Sequence, residues 1–183
     1  IRLAPAYRDF LVIQYNFRYR RWDYPLFAEY VATFKDWDIR QFRAYDAYLK
    51  KIEPHYYDSY INVRAHPVGI CGEFSWLLNQ VAADVSKNSW ITQSVYLNDA
   101  VEWARLSTEL CTPEMLPEYL DTYACLLYQT GNKDKAIQMS EIALNSLTKE
   151  QEDSLNGRKI RVNHELIKRD ILTSNEEWTK YPE

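Results

Sequence analysis

The chain has 183 residues, and 22 basic and 26 acidic side chains give it a formal net charge of −4. This length corresponds to one large or two small domains, in which roughly 70% of the unfolded surface can be buried. Glycine is scarce, with 4 residues, whereas 15 Tyr, 6 Trp and 6 Phe make an aromatic excess. The composition excludes glycine-rich phosphate loops, β-sandwiches, collagen and disorder, and it favours a helical protein with an aromatic core.

Charge, hydropathy and cysteine usage limit the expected partners and sites. The mildly acidic balance predicts no nucleic-acid partner, and no apolar run approaches the roughly 18–20 residues that span a bilayer, so we expect no membrane insertion. Because the chain begins with Ile1, we expect it to be part of a longer protein. Cys71, Cys111 and Cys125 are odd in number and widely spaced, which predicts buried thiols rather than a disulfide framework or a zinc site.

The first half of the sequence predicts helices with aromatic faces. In residues 6–21, aromatic and aliphatic side chains recur every three or four positions. Asp23 predicts the start of a second helix with Pro25 in its first turn, where the missing N–H is tolerated. The apolar stripe of this second helix contains Phe27, Tyr30, Val31 and Phe34. Asp38 opens a third predicted helix, which continues to residue 53.

A boundary between two subdomains is predicted around residues 66–72, where two of the four glycines lie. We predict a weak helix over residues 54–65 and a loop over residues 66–72. The chain would then consist of an aromatic-rich helical subdomain at residues 1–72 and a tetratricopeptide-like helical subdomain at residues 73–183. One continuous domain is the alternative.

The second half contains more regular helical patterns. Phe74, Leu77, Leu78, Val81 and Val85 form one apolar stripe. Further helices are predicted over residues 97–110, 119–129, 133–147 and 149–172. The last region places Ile160, Asn163, Ile167 and Ile171 on its inner face. Gly157 predicts a break within this region.

Small and bulky residues alternate at helical spacing between Pro117 and Thr148. The pattern residues are Tyr123, Ala124, Leu127, Gly131, Ala136 and Ala143. This segment resembles a tetratricopeptide repeat, a helix-turn-helix unit of about 34 residues in which alanines let two helices approach closely. Ser140 stands where the repeat pattern expects an aromatic residue. The helices before it, with Ala100 and Ala104, resemble an irregular second unit, and a generic antiparallel helical bundle is the alternative.

A longer resemblance rests on motifs spread over residues 98–144. They are Ala100-Val101-Glu102-Trp103-Ala104, Leu120-Asp121-Thr122-Tyr123-Ala124 and Gly131-Asn132. This region is similar to the C-terminal helical extension that follows a CxxC-bearing thioredoxin domain in certain bacterial proteins. The resemblance implies a companion domain located in the periplasm or cell envelope, with the cytoplasm as the alternative. Because this chain has no CxxC, the resemblance does not imply thiol-disulfide exchange.

Residues suited to catalysis or metal binding are few. His55, His66 and His164 form no HExxH motif, and the sequence has no GxSxG, Walker or dinucleotide-binding loop. Cys71 has no base at a recognisable spacing. We therefore predict no catalytic, metal or cofactor-binding residue, and no cofactor.

The candidate binding surface lies in the first half of the chain. It consists of Arg18, Arg21, Trp22 and Trp37. Alternating arginines and aromatic rings can bind single-stranded nucleic acid, but the net acidic charge favours cation–π packing instead. Trp37 lies between two aspartates, which suits either a sugar site or a helix cap around a buried ring.

The predicted function is therefore a non-catalytic helical module that binds a protein or peptide. One alternative is a ligand-binding domain or enzyme with an aromatic pocket for a glycan or a small hydrophobic molecule. Another is a structural extension that positions an upstream catalytic domain. The sequence leaves the oligomeric state open.

Overall fold

A computed structural model describes residues 24–34, 51, 69–88 and 94–172. The described residues are 83% helical and contain no strand, so the predicted all-α class is confirmed. The elements are α1 (Tyr24–Phe34), α2 (Gly69–Asn88), a 3₁₀ turn (Ser94–Tyr96), α3 (Leu97–Leu110), α4 (Leu116–Gln129), α5 (Lys133–Asn145), α6 (Lys149–Glu152) and α7 (Leu155–Lys168).

The chain divides into two compact units, Ile1–Leu77 and Leu78–Glu183. The division falls inside α2, a few residues after the boundary predicted at residue 72. The helices predicted at residues 6–21, 38–53 and 54–65 lie outside the described residues, apart from Lys51.

In the first unit, α1 agrees with the prediction where its side chains are described, which leaves out those of Tyr30 and Phe34. It begins at Tyr24 with Pro25 in its first turn, and Phe27 and Val31 are almost completely buried. Their spacing places them on one face of the helix with the buried Tyr24.

The start of α2 differs from the prediction. The sequence predicts a loop at Gly69 and Gly72, but residues 69–72 form the first turn of α2. Glycine and proline near a helix start give the same local signal as a loop, because the first N–H groups of a helix need no helical partner. The predicted apolar stripe of α2 is confirmed, since its five residues from Phe74 to Val85 are all buried.

In the second unit, α3 has the predicted bounds, Leu97–Leu110. The next helix, α4, starts at Leu116 instead of residue 119, because Pro117 fits the first helical turn. It is buried along most of its circumference, as expected for a helix with neighbours on several sides.

The predicted last helical region is two helices, and the break is not at Gly157. Thr148 and Gln151 form a capping box at the start of α6, and Ser154 caps α7 by accepting a hydrogen bond from Gly157 N at 3.0 Å. Gly157 lies inside α7, where a Cβ atom would collide with the backbone carbonyl of Gln151. The glycine is therefore needed for close approach between the two helices. Ile171 follows the end of α7 and is 49% exposed, so its predicted inward position is wrong.

A tight turn joins α4 to α5 and makes them a helical hairpin. Gly131 has a φ of +82°, a left-handed conformation that favours glycine. Its N–H donates to the Tyr128 carbonyl at 3.0 Å, and the Asn132 N–H donates to the Leu127 carbonyl at 2.8 Å. These two bonds define a Schellman C-cap. The two helices pack closely, and Ala143 of α5 joins Leu120 of α4 in the apolar core.

Two helices of the second unit, α4 and α7, run in the same direction. Near the starts of α7 and α4, Asn156 donates to Glu118 at 2.6 Å, and near their ends Tyr128 donates to Asp170 at 2.8 Å. The C-terminal half of α2 lies beside the end of α4, where Gln129 Nε2 donates to the Ser86 carbonyl at 3.2 Å. Thus α7 runs parallel to α4, the hairpin partner α5 runs in the opposite direction, and α2 contacts the end of α4.

Candidate functional site

A cleft of about 230 Å³ lies between α2, α4 and α7. Each helix contributes side chains spaced three or four residues apart, which is the spacing of a single helical face. From α4 the lining residues are Glu118, Asp121, Thr122 and Cys125. From α2 they are Asn79, Gln80, Ala83, Ser86 and Lys87, and from α7 they are Asn156, Lys159 and Ile160. Polar and charged side chains therefore dominate a cleft that lies among apolar helix interfaces.

Asp121 is the most unusual residue of the cleft. It lies in the middle of α4 and is only 7% exposed. Both of its carboxylate oxygens accept hydrogen bonds from Asn163 Nδ2 of α7, at 2.9 and 2.7 Å. The pKa of Asp121 is raised to about 7, chiefly by burial and to a smaller extent by the charge of Glu118, whereas Asn163 and Lys159 act in the opposite direction. The cleft therefore contains a carboxyl group that titrates near neutral pH.

Lys159 is the cationic counterpart of Asp121 in the cleft. Burial lowers the pKa of Lys159, and the like charge of Lys87 lowers it further, while Asp121 raises it. Its side chain is half-buried and sits on a flexible four-carbon stem. The opposite charges of Asp121 and Lys159 thus partly compensate each other. This gain is offset by the unfavourable removal of both groups from water.

The thiol of Cys125 is not activated. Burial raises the pKa of Cys125 well above its usual value, and the Asp121 charge raises it further. Since the thiolate is the nucleophilic form, this thiol is a poor nucleophile at neutral pH.

The amide oxygen of Asn79 is an unsatisfied acceptor beside the cleft. Asn79 is 6% exposed, and its Oδ1 has no hydrogen-bond partner among the residues that the structure describes. Buried polar groups are nearly always hydrogen-bonded, so a lone buried acceptor at a cleft wall indicates a place for a donor.

The residues predicted to pack the repeat lie in and around the α4–α5 hairpin. Ala124, Ala136 and Ala143 are completely buried, and Tyr123 and Leu127 of α4 are nearly so. Gly131 forms the turn between the two helices. Their assignment to a tetratricopeptide unit stays a prediction.

Ser140, where the repeat pattern expects an aromatic residue, has a polar partner. It is buried, and its Oγ lies 2.9 Å from Nδ1 of His164 in α7. A hydrogen bond between α5 and α7 therefore takes the place of aromatic packing. Of the three histidines, His164 is the one that the structure describes, and it belongs to this buried pair.

The structure does not describe the residues of the predicted binding surface. Arg18, Arg21, Trp22 and Trp37 all lie outside the described residues. Within the described ranges, no three His, Cys, Asp or Glu side chains come together as a metal site. No helix in those same ranges is both long and apolar enough to cross a membrane.

The cleft does not follow from the motifs of the sequence, although part of its signal is visible there. Asn163 was placed correctly on the inner face of the last helix and is 1% exposed. Its partner Asp121 was noted only as part of a family-like motif. A polar stripe at positions 118, 121, 122 and 125 of an otherwise apolar helix could have indicated the cleft.

Comparison with known proteins assigns no family to this chain. No family model matches it, and neither a curated protein nor a solved structure matches it.

Proposed function

We propose that the chain is a non-catalytic helical binding module, and that the cleft between α2, α4 and α7 receives a peptide segment of a protein partner. The observation that carries this proposal is that three helices contribute mostly polar side chains to the lining of the same cleft. Arrays of helical hairpins commonly bind extended partners in such grooves.

The energetics of the cleft support a binding role. The raised pKa of Asp121 means that ionising its carboxyl group at neutral pH destabilises the folded chain. The orphan oxygen of Asn79 adds a second unfavourable group. An apolar pair at these positions would pack the interface without either cost. Polar groups kept at such a cost are typical of binding sites.

A binding role also suits the weak reactivity of the thiol in the cleft. Cys125 is its potential nucleophile, and its raised pKa keeps the thiol protonated. The imidazole of His164 pairs with Ser140 and does not line the cleft.

The resemblance to thioredoxin-fold proteins extends this proposal to the whole protein. On that basis, the chain acts as the companion domain of a CxxC-bearing thioredoxin domain in the cell envelope and presents a partner to it. The close α4–α5 hairpin with buried alanines supports a tetratricopeptide-like unit. The complete coding sequence tests this extension, and we expect a CxxC motif upstream of Ile1.

The peptide-binding proposal can be tested with a random dodecapeptide library displayed on phage and selected on the full chain. Ala83 lines the cleft, so Ala83→Trp should fill it and weaken the binding of selected peptides at least tenfold. Ala32→Trp makes the same change at an exposed position of α1 and should leave affinity unchanged. Fluorescence polarisation measures the affinities, and circular dichroism checks that both variants are folded. Peptides that bind all three proteins equally, or no enrichment at all, would contradict the proposal.

A further inference from the structure

Two residues that line the same cleft from different helices carry buried hydrogen-bond acceptors. Asn79 of α2 has a buried oxygen with no partner within the described parts of the chain, and Asp121 of α4 has a buried carboxylate. A carboxylate has about four lone-pair positions, and Asn163 supplies a single amide nitrogen to them. Both groups can therefore accept further hydrogen bonds.

The charges beside these acceptors favour a positively charged donor. Glu118 lies almost one turn before Asp121 on the same face of α4, and it accepts a hydrogen bond from the neutral amide of Asn156. Two carboxylates on one helix face repel each other, and a cation between them and Asn79 would relieve that repulsion. Hydrogen bonds to charged groups are also the stronger ones in a partly dry site.

Lys159 is the cation that the folded chain itself provides. Its ammonium group interacts favourably with Asp121, but burial and the like charge of Lys87 both disfavour its charged form. A flexible lysine stem can turn its head group toward solvent when another cation enters. Lys159 is therefore a competitor for an incoming cation and not its ligand.

We propose that this cleft binds an organic ammonium group, held between the Asn79 amide oxygen and the Asp121 carboxylate. The group belongs either to a lysine side chain of the bound peptide or to a free alkylamine. The peptide form of the inference rests on the proposed function, whereas the amine form does not. A cleft of about 230 Å³ far exceeds the roughly 30 Å³ that one water occupies, so an alkyl stem can follow the ammonium group.

The binding chemistry is tested with three small probes that contain four carbon atoms each: n-butylammonium, n-butanol and butyrate. Each is titrated into the ¹⁵N-labelled full chain at pH 8, where Asp121 is largely ionised, and amide shifts of residues 79, 121 and 159 are followed. We expect saturable shifts with butylammonium, and tenfold weaker or no binding with the other two. Preferential binding of butyrate would overturn the inference, because it would identify an anion site.

Two substitutions give effects of opposite sign. Asp121→Asn should weaken butylammonium binding at least tenfold, because it removes the charge and keeps the shape. Lys159→Met should strengthen binding several-fold, because it removes the resident competitor. Lys168→Met changes an exposed lysine of the same helix and should have no effect. If Asp121→Asn does not fold, the result for Lys159→Met alone tests the inference. Weaker or unchanged butylammonium binding by Lys159→Met overturns it.

The source of the ammonium group is tested with two capped pentapeptides that carry a central lysine or its uncharged analogue norleucine. Preference for the lysine peptide supports the inference in its peptide form. If butylammonium binds but neither peptide does, the result supports the amine form and contradicts the peptide-binding proposal. Library peptides that fill the cleft with no lysine preference, together with no butylammonium binding, leave the proposed function standing and overturn the ammonium inference. No binding of any probe contradicts both.

Discussion

The two opposite faces of α4 have different environments and different roles. On one face Leu120 joins Ala143 and Ile160 in the apolar core shared with α5 and α7. On the other, Glu118 and Asp121 line a polar cleft, and burial raises the pKa of Asp121. The first face stabilises the fold, and the second lowers its stability at neutral pH because it buries a carboxyl group. A single helix thus combines a structural and a candidate binding role, and substitutions on its two faces should behave differently.

The largest effect is expected from Leu120→Ala on the packed face. Deleting a buried leucine side chain leaves a cavity and typically costs about 2–5 kcal/mol. Thr122→Ala truncates a half-buried residue on the cleft face and should change stability by only about 0.5 kcal/mol or less. Urea denaturation of both variants measures the difference. Equal losses would mean that the cleft face contributes to the core as much as the packed face does.

Overpacking the hairpin should have the next largest effect. Ala136 of α5 is completely buried, and Ala136→Phe should destabilise the chain by about 1–3 kcal/mol. Gln138→Phe introduces the same ring at an exposed position of α5 and serves as the control. A melting temperature of Ala136→Phe equal to that of the wild type would contradict the tight α4–α5 packing.

On the cleft face, stability should depend on pH through Asp121. Its folded pKa of about 7 exceeds the ordinary value of 3.8, so the folded state holds a proton that the unfolded state has lost between these two values. The contribution of Asp121 is therefore fully favourable below about pH 4 and is lost as the pH rises to 7, by at most ~1.4 kcal/mol per pH unit. The charges that face it are those of Glu118, Lys159 and, through Lys159, Lys87.

The variant Asp121→Asn removes this titration and can still accept a hydrogen bond from Asn163. Melting temperatures at pH 5, 6, 7 and 8 should show the wild type losing stability relative to Asp121→Asn as the pH rises. Asp134→Asn, at an exposed position of α5, is the control for a general charge effect. A constant difference between wild type and Asp121→Asn across this range would mean that Asp121 is not buried as described.

The smallest effects concern the two left-handed helix ends beside the hairpin. Gly131→Ala should cost about 1–2 kcal/mol, because φ is +82° although no atom lies within 4 Å of the added Cβ. Asp170 adopts a φ of +57° at the end of α7, and its carboxylate accepts hydrogen bonds from Tyr128 and Lys133. Asp170→Gly removes the unfavourable left-handed backbone conformation of a non-glycine residue but also removes these side-chain contacts, and the two effects oppose each other. The melting temperature of Asp170→Gly should therefore change less than that of Gly131→Ala. The reverse order would show that the side-chain contacts dominate.

Most helices of the second unit could be predicted because their signals are local. The apolar stripe of α2, the bounds of α3 and the turn at Gly131 all follow from spacing and residue type within a few positions. The errors occurred where one local signal has two meanings. Gly69 and Gly72 start a helix, and Gly157 allows a close approach inside one, although glycine also marks loops and breaks.

The cleft could not be predicted in the same way, since its residues come from three helices. Asp121 and Asn163 lie 42 positions apart in the sequence and meet because α4 and α7 run in parallel. A polar stripe on a helix has the same spacing whether it faces water or another helix. The sequence alone could identify an all-α chain, most of its described helices and the alanines of its hairpin. The buried Asp121–Asn163 pair, the orphan oxygen of Asn79 and the position of Lys159 depend on how the helices pack, because contacts over long sequence distances set burial and charge environment.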